Sequence, residues 1–143
     1  MTLPIQKAQE MAKTSANFVD ARTLRITPKL TGGTADDKRK EIALYFTNTF
    51  DTYTRLFDCL REDTVFYQKP IPLRHPLIFY LGHTATFFIN KLLLAKLIPE
   101  RIDAHMESIF AVGVDEMSWD DLSEENYDWP SVSAVKNYRA KVR

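Results

Sequence analysis

The stretch from Leu77 to Ile98 constrains this chain more than any other part of its sequence. It is mostly apolar, opens after Pro76 and closes before Pro99. An apolar run of this length becomes either a membrane span or a helix at the centre of a fold. His83, Asn90, Lys91 and Lys96 interrupt it, and ionisable groups are expensive in lipid. A buried helix from Leu77 to Leu97 is therefore expected, with no membrane partner. Pro76 suits the first turn of that helix, where a missing N–H costs nothing. Pro99 cannot continue it.

A second periodic segment precedes it. Ile42, Tyr45, Phe46, Thr49, Phe50, Tyr53, Leu56, Phe57 and Leu60 recur at three- and four-residue steps. That spacing predicts one face of a long amphipathic helix ending near Arg61 to Asp63. Gly32-Gly33 punctuates the chain just upstream, and Thr34 is a candidate N-cap with Asp36 and Asp37 in the first turn. Residues 1–30 show no sustained period and are expected to be a leader, partly extended or disordered.

Between the two helices, Pro70 and Pro72 favour an extended connector running from Tyr67 to His75. Glu100 to Phe110 predicts a third, shorter helix. Ala111 to Trp129 reads as an ordered acidic loop, and its aromatics Trp119, Tyr127 and Trp129 suggest that it packs on something. Pro130-Ser131 opens a last helix with the stripe Val132, Val135, Tyr138 and Val142, read as unpaired and in want of a partner. The expected class is all-α, a helical bundle over residues 31–143. With two long and two shorter helices in sight, the bundle is expected to be incomplete at its C-terminal side.

Charge and cysteine usage narrow the function. Nineteen basic residues balance nineteen acidic ones, which removes the electrostatic case for nucleic acid. Cys59 is the only cysteine, so no internal disulfide forms and a cytoplasmic location is expected. It falls near the end of the first helix and reads as a small buried hydrophobe. The acidic residues Asp115, Glu116, Asp120 and Asp121 do not follow a calcium-loop spacing.

Three histidines are present, His75, His83 and His105. No two of them have metal-ligand spacing on one helix, and no phosphate loop or nucleophile elbow occurs. His75 reads as a turn residue and His105 as a surface residue. His83 lies inside the apolar helix, beside Gly82 and near Phe79, Tyr80, Thr86 and Phe87. A glycine there, costing about 1 kcal/mol against alanine, implies close approach of another group. His83 is then a candidate metal ligand, although one histidine alone defines no site and a core histidine with one hydrogen bond is the more ordinary role. Arg139 and Lys141 read as solvated helix charges, with a carboxylate clamp as the alternative. No catalytic residue is assigned.

Several segments together resemble the iron-dependent 5-histidylcysteine sulfoxide synthases of ovothiol biosynthesis. They are Leu30-Thr31-Gly32-Gly33, Tyr45-Phe46 with Phe50 and Asp51, and Pro72-Leu73-Arg74-His75-Pro76-Leu77-Ile78-Phe79-Tyr80. The match continues through Gly82-His83-Thr84-Ala85-Thr86-Phe87-Phe88, the string from Ser108 to Leu122, and Tyr127-Asp128-Trp129-Pro130. It covers about residues 22 to 143. The ergothioneine-pathway sulfoxide synthases share the Gly-His helix more loosely.

The resemblance implies a DinB-like helical bundle that forms the N-terminal portion of a larger enzyme. It implies non-haem Fe(II) held by three histidines, one of them His83. The other two form an H-x-x-x-H pair that this sequence lacks, so the metal site is expected to be incomplete here and this chain inactive alone. The implied substrates are cysteine and histidine, and the implied partner is a missing C-terminal catalytic domain, in some relatives followed by a methyltransferase. The alternative is a free-standing binding or dimerisation module without catalysis, self-associating through the last helix. A DinB-like thiol transferase also uses three histidines, and is disfavoured by the same shortage.

Overall fold

A computed structural model describes residues 26–72, 74–111 and 127–143. The expected leader lies largely outside these residues, as does most of the expected acidic loop. All regular elements among the described residues are helical. The chain divides into two compact units, Met1–Tyr53 and Thr54–Arg143.

In the first unit, Gly32 and Gly33 adopt φ of 81° and 75°, a region where side chains other than glycine are strained. They deliver the chain to Thr34, whose hydroxyl accepts from the Asp37 N–H at 3.2 Å. The Asp37 carboxylate in turn accepts from the Thr34 N–H. This reciprocal cap starts helix α1, Ala35–Phe57. Further along α1, the Phe46 and Phe50 rings lie 5.4 Å apart.

The second unit is built around helix α2, Leu77–Leu94, which packs against all the other elements of that unit that follow α1. These are a 3₁₀ turn, Asp63–Tyr67, helix α3, Ala104–Ile109, and helix α4, Val132–Val142. Seven α2 residues are buried, among them Ile78, Phe79, Leu81 and Ala85. By length and composition α2 could also cross a membrane, properties that a core helix shares. Phe66 of the 3₁₀ turn stacks on Phe57 at 5.9 Å. Asp103 caps α3 by accepting from Met106 N–H, and Ser131 caps α4 by accepting from Ala134 N–H.

Several sequence expectations need correction. The third helix is shorter than Glu100 to Phe110, running over Ala104–Ile109 because Asp103 caps it. Helix α1 ends at Phe57, earlier than the apolar repeat suggested, because Asp58, Cys59 and Leu60 each bond back three residues and tighten the chain into turns. Cys59 therefore falls beyond the helix and is exposed rather than buried. The α4 stripe is not unpaired: Val132, Val135 and Tyr138 are 4%, 0% and 2% exposed, packed in the unit that α2 organises. Arg139 is no solvated charge, being 1% exposed.

Helix α2 stops short of Leu97 for a local reason. Lys96 adopts φ of 56°, its N–H bonds to the Leu93 carbonyl, and Leu97 N–H bonds to Leu92. This paired closure normally takes glycine at the left-handed position. Lys96→Gly should raise stability by about 0.5–1 kcal/mol, because left-handed backbone costs other residues ~1–2 kcal/mol and glycine's extra unfolded-state freedom cancels only part of that. An unchanged or lower urea midpoint would contradict this cap.

Burial pushes the Tyr138 phenol up to about 12, helped by the charges of Glu107 and Asp103 and opposed by a hydrogen bond with Thr86. The unfolded phenol ionises near 10. The neutral phenol therefore stabilises the fold fully below about pH 10, and that contribution is lost as pH rises toward about 12. Tyr138→Phe should flatten this part of the stability profile, as read by urea unfolding at stepped alkaline pH.

Candidate functional site

The turn of α2 that carries Gly82 and His83 is held from two sides. On one side stands Phe110, the residue that ends α3. A methyl group added at Gly82 would lie 2.5 Å from carbons of the fully buried Phe110 ring. No other residue type permits that approach, which is the close contact that a glycine inside this helix implied. Trp129 covers the outer face of Phe110, with ring centres 5.9 Å apart.

The same approach brings the Phe110 carbonyl to 2.7 Å from His83 Nδ1. A carbonyl only accepts, so Nδ1 carries the proton and donates. In the neutral ring Nε2 then keeps its lone pair, the form in which imidazole serves as a ligand or base. His83 is half-buried. Its ring stacks on Phe79 at 5.1 Å and meets Phe87 at 6.3 Å.

On the other side stands Arg139 of α4. Its Nη1 donates to the Leu81 carbonyl and to the Thr84 hydroxyl, both at 2.6 Å. Its Nε and Nη2 donate to Thr54 Oγ1 at 3.2 and 2.8 Å. The residues immediately flanking Gly82-His83 are thereby tied to α4 and to the end of α1. A planar, five-donor guanidinium can satisfy these groups together, where an ammonium could not.

His75 proved closer to His83 than a turn residue need be. It stacks on Phe79 at 4.1 Å, so one phenylalanine carries both imidazoles. Trp129 meets His75 and Phe79 edge-on, which accounts for one of the loop aromatics; Trp119 lies outside the described residues. Burial holds the His75 imidazole below its ordinary range, and the charges of Lys69 and His83 add to the effect. His105 is exposed, as a surface histidine should be.

The described residues contain no group of three His, Cys, Asp or Glu placed to hold a metal ion. His83 Nε2 can supply one ligand, and nothing described beside it completes a set. A groove of ≈ 490 Å³ opens elsewhere, beside Asn90, Lys91, Arg101 and Glu107, and His83 does not line it. The Glu107 carboxylate there is already engaged: it accepts from the N–H groups of Ile102 and Asp103 and from Arg101 Nη1. It is a capping group rather than a free acid.

Arg139→Met should cost about 3 kcal/mol, since it leaves the Leu81 carbonyl and two threonine hydroxyls short of their partner in a buried setting. Arg139→Lys should recover less than half of that loss, because it restores the charge without the fork. Equilibrium unfolding of both variants measures the difference.

No family model matches the chain. It is 34% identical over 100 residues to Ergothioneine biosynthesis protein 1 of Neurospora crassa, covering 66% of this chain and 11% of that protein. It is 30% identical over 112 residues to the protein of the same name from Schizosaccharomyces pombe, covering 71% and 13% respectively. The chain thus spans about an eighth of the length of the curated relatives it matches. A match of such coverage includes the middle of the chain and, with it, the Gly82-His83 turn. The likeness is therefore to part of the ergothioneine biosynthesis proteins, a coarser result than the ovothiol-type resemblance carried by the motifs.

Proposed function

We propose that this chain is the DinB-like portion of a non-haem Fe(II)- and O2-dependent sulfoxide synthase, and that His83 supplies one of the iron ligands through Nε2. The observation that carries the reading is the His83 ring itself. Its Nδ1 is committed to the Phe110 carbonyl, which in the neutral ring leaves Nε2 with a lone pair. Metal-binding histidines show this second hydrogen bond as a rule. The likeness to two ergothioneine biosynthesis proteins, of which this chain covers about an eighth, supports membership in a longer enzyme.

The proposed substrates are cysteine and histidine. The balanced overall reaction joins a thiol and an imidazole C–H to O2, giving an imidazolyl sulfoxide and one water. Both hydrogens leave in the water, and O2 is the oxidant. Bound iron would supply the open coordination positions at which O2 and a thiolate react. The part played by this chain's own residues is narrower. Phe110 and Phe79 orient the His83 ring, and Arg139 holds the backbone turn beneath it. The remaining ligands and the substrate pocket are assigned to the missing catalytic part of the longer protein. A cytoplasmic location fits the single thiol of Cys59, and neither nucleic acid nor membrane enters the reading.

A second reading follows from the relatives' names: the pathway is that of ergothioneine rather than ovothiol. The product decides between them, since the ovothiol type yields the 5-histidylcysteine sulfoxide.

The mass of the protein in its source cells tests the proposal first. A mass several-fold above 16.6 kDa is expected, and a mass near that value would overturn the reading as part of a longer enzyme. In the longer protein, His83→Ala should abolish bound iron, measured by metal analysis. Retained iron would remove His83 from the ligand set.

A further inference from the structure

We infer that Gly82 and Phe110 act together as positioning residues that select the tautomer of His83. The role given to this device rests on His83 being a metal ligand; the device itself rests on geometry alone.

Phe110 is the C-cap of α3, with φ −90° and ψ 2°. Carbonyls at the end of a helix have no partner within it. The Phe110 carbonyl finds one in His83 Nδ1, 27 residues upstream, at 2.7 Å. What brings the two together is the flat seat that Gly82 gives to the Phe110 ring. The ring is fully buried and backed by Trp129, so it cannot swing aside for a methyl group. The main-chain atom that fixes the proton of His83 is thus placed by the missing side chain of the preceding residue. In a solvated histidine the proton exchanges between the two nitrogens. Here the carbonyl retains it on Nδ1 and leaves Nε2 free to meet a divalent cation without a prior proton shift.

The test reads the imidazole nitrogens of the metal-free chain by two-bond proton–nitrogen correlation at about pH 8.5, where imidazoles in water are neutral. The wild-type chain should show His83 protonated at Nδ1. Gly82→Ala should move the tautomer ratio toward Nε2–H by roughly fivefold to tenfold, as expected for loss of one hydrogen bond. A merely structural role for Gly82 would lower stability and leave the tautomer unmoved. Gly82→Ala combined with Phe110→Leu, which makes room for the methyl while keeping the carbonyl, should restore the Nδ1–H form. If Gly82→Ala does not fold, the wild-type spectrum and the double variant decide. A wild-type His83 protonated at Nε2, a ratio unchanged by Gly82→Ala, or a folded double variant without recovery would each overturn the inference. These readings involve no metal. If His83→Ala leaves iron in the longer protein, the ligand reading fails while the tautomer result still stands or falls by itself.

Discussion

The guanidinium of Arg139 is the constraint on which the second unit depends. A cation taken from water to a site that is 1% exposed loses several kcal/mol of solvation, and only dense hydrogen bonding offsets that. Arg139 reaches the Leu81 carbonyl, Thr84 and Thr54, groups from α2 and the end of α1. It is itself a residue of α4. Three elements therefore meet at one planar group, and none can slide without unsatisfying a buried polar atom. The apolar residues Val132, Val135 and Tyr138 fill the space around this joint, but hydrophobic contact is non-directional and fixes no register. The arginine fixes it.

Most helix starts are legible in the sequence because they follow from local chemistry. Thr34 and Ser131 each cap a helix through their own side chains, and Pro76 lies just before α2. The third helix is the exception: the sequence suggests a start at Glu100, whereas α3 begins at Ala104 behind its cap Asp103. The departures from the sequence pattern have equally plain causes. Arg139 stands seven residues after Val132 and four after Val135, so the helical repeat placed it on the buried face throughout. Its charge argued for solvent, and the register was the better guide. Cys59 lies beside the apolar repeat, which ceases to apply once the backbone leaves α1 at Phe57. The end of α2 depended on a left-handed lysine at position 96, which no propensity would select.

The candidate site was half legible for a related reason. A histidine inside an apolar helix is visible in any sequence, and Gly82 beside it announces a close neighbour. The identity of that neighbour is not visible, because what matters at Phe110 is a main-chain carbonyl, which every residue has. Its placement comes from the end of α3 meeting α2, a tertiary event. His75 reads as a turn residue because it precedes a proline. Its stacking on Phe79 becomes apparent only once α2 is known to begin at Leu77. The spacing 75, 79, 83 is a helical one, and extending the α2 repeat backwards through Pro76 would have put His75 beside Phe79.

A histidine that is to serve as a ligand has two opposed requirements. One nitrogen must be held by packed protein, and the other must face space that an ion can enter. Helix α2 bears on the first through the Phe110 carbonyl, and it sets the half-buried ring on a gradient of exposure along a single face. Four residues before His83, Phe79 is 1% exposed and lies in the aromatic cluster with His75 and Trp129. Four residues after it, Phe87 is 40% exposed. The imidazole touches both rings and so stands at the border of core and surface. Shifted one turn toward Phe79, it would be a satisfied core histidine with no open nitrogen. Shifted one turn toward Phe87, it would lose the Phe110 carbonyl and its fixed tautomer. A ring at this border has its Nδ1 held by a main-chain carbonyl without being fully enclosed, and under the proposed reading Nε2 is the atom that would meet a metal.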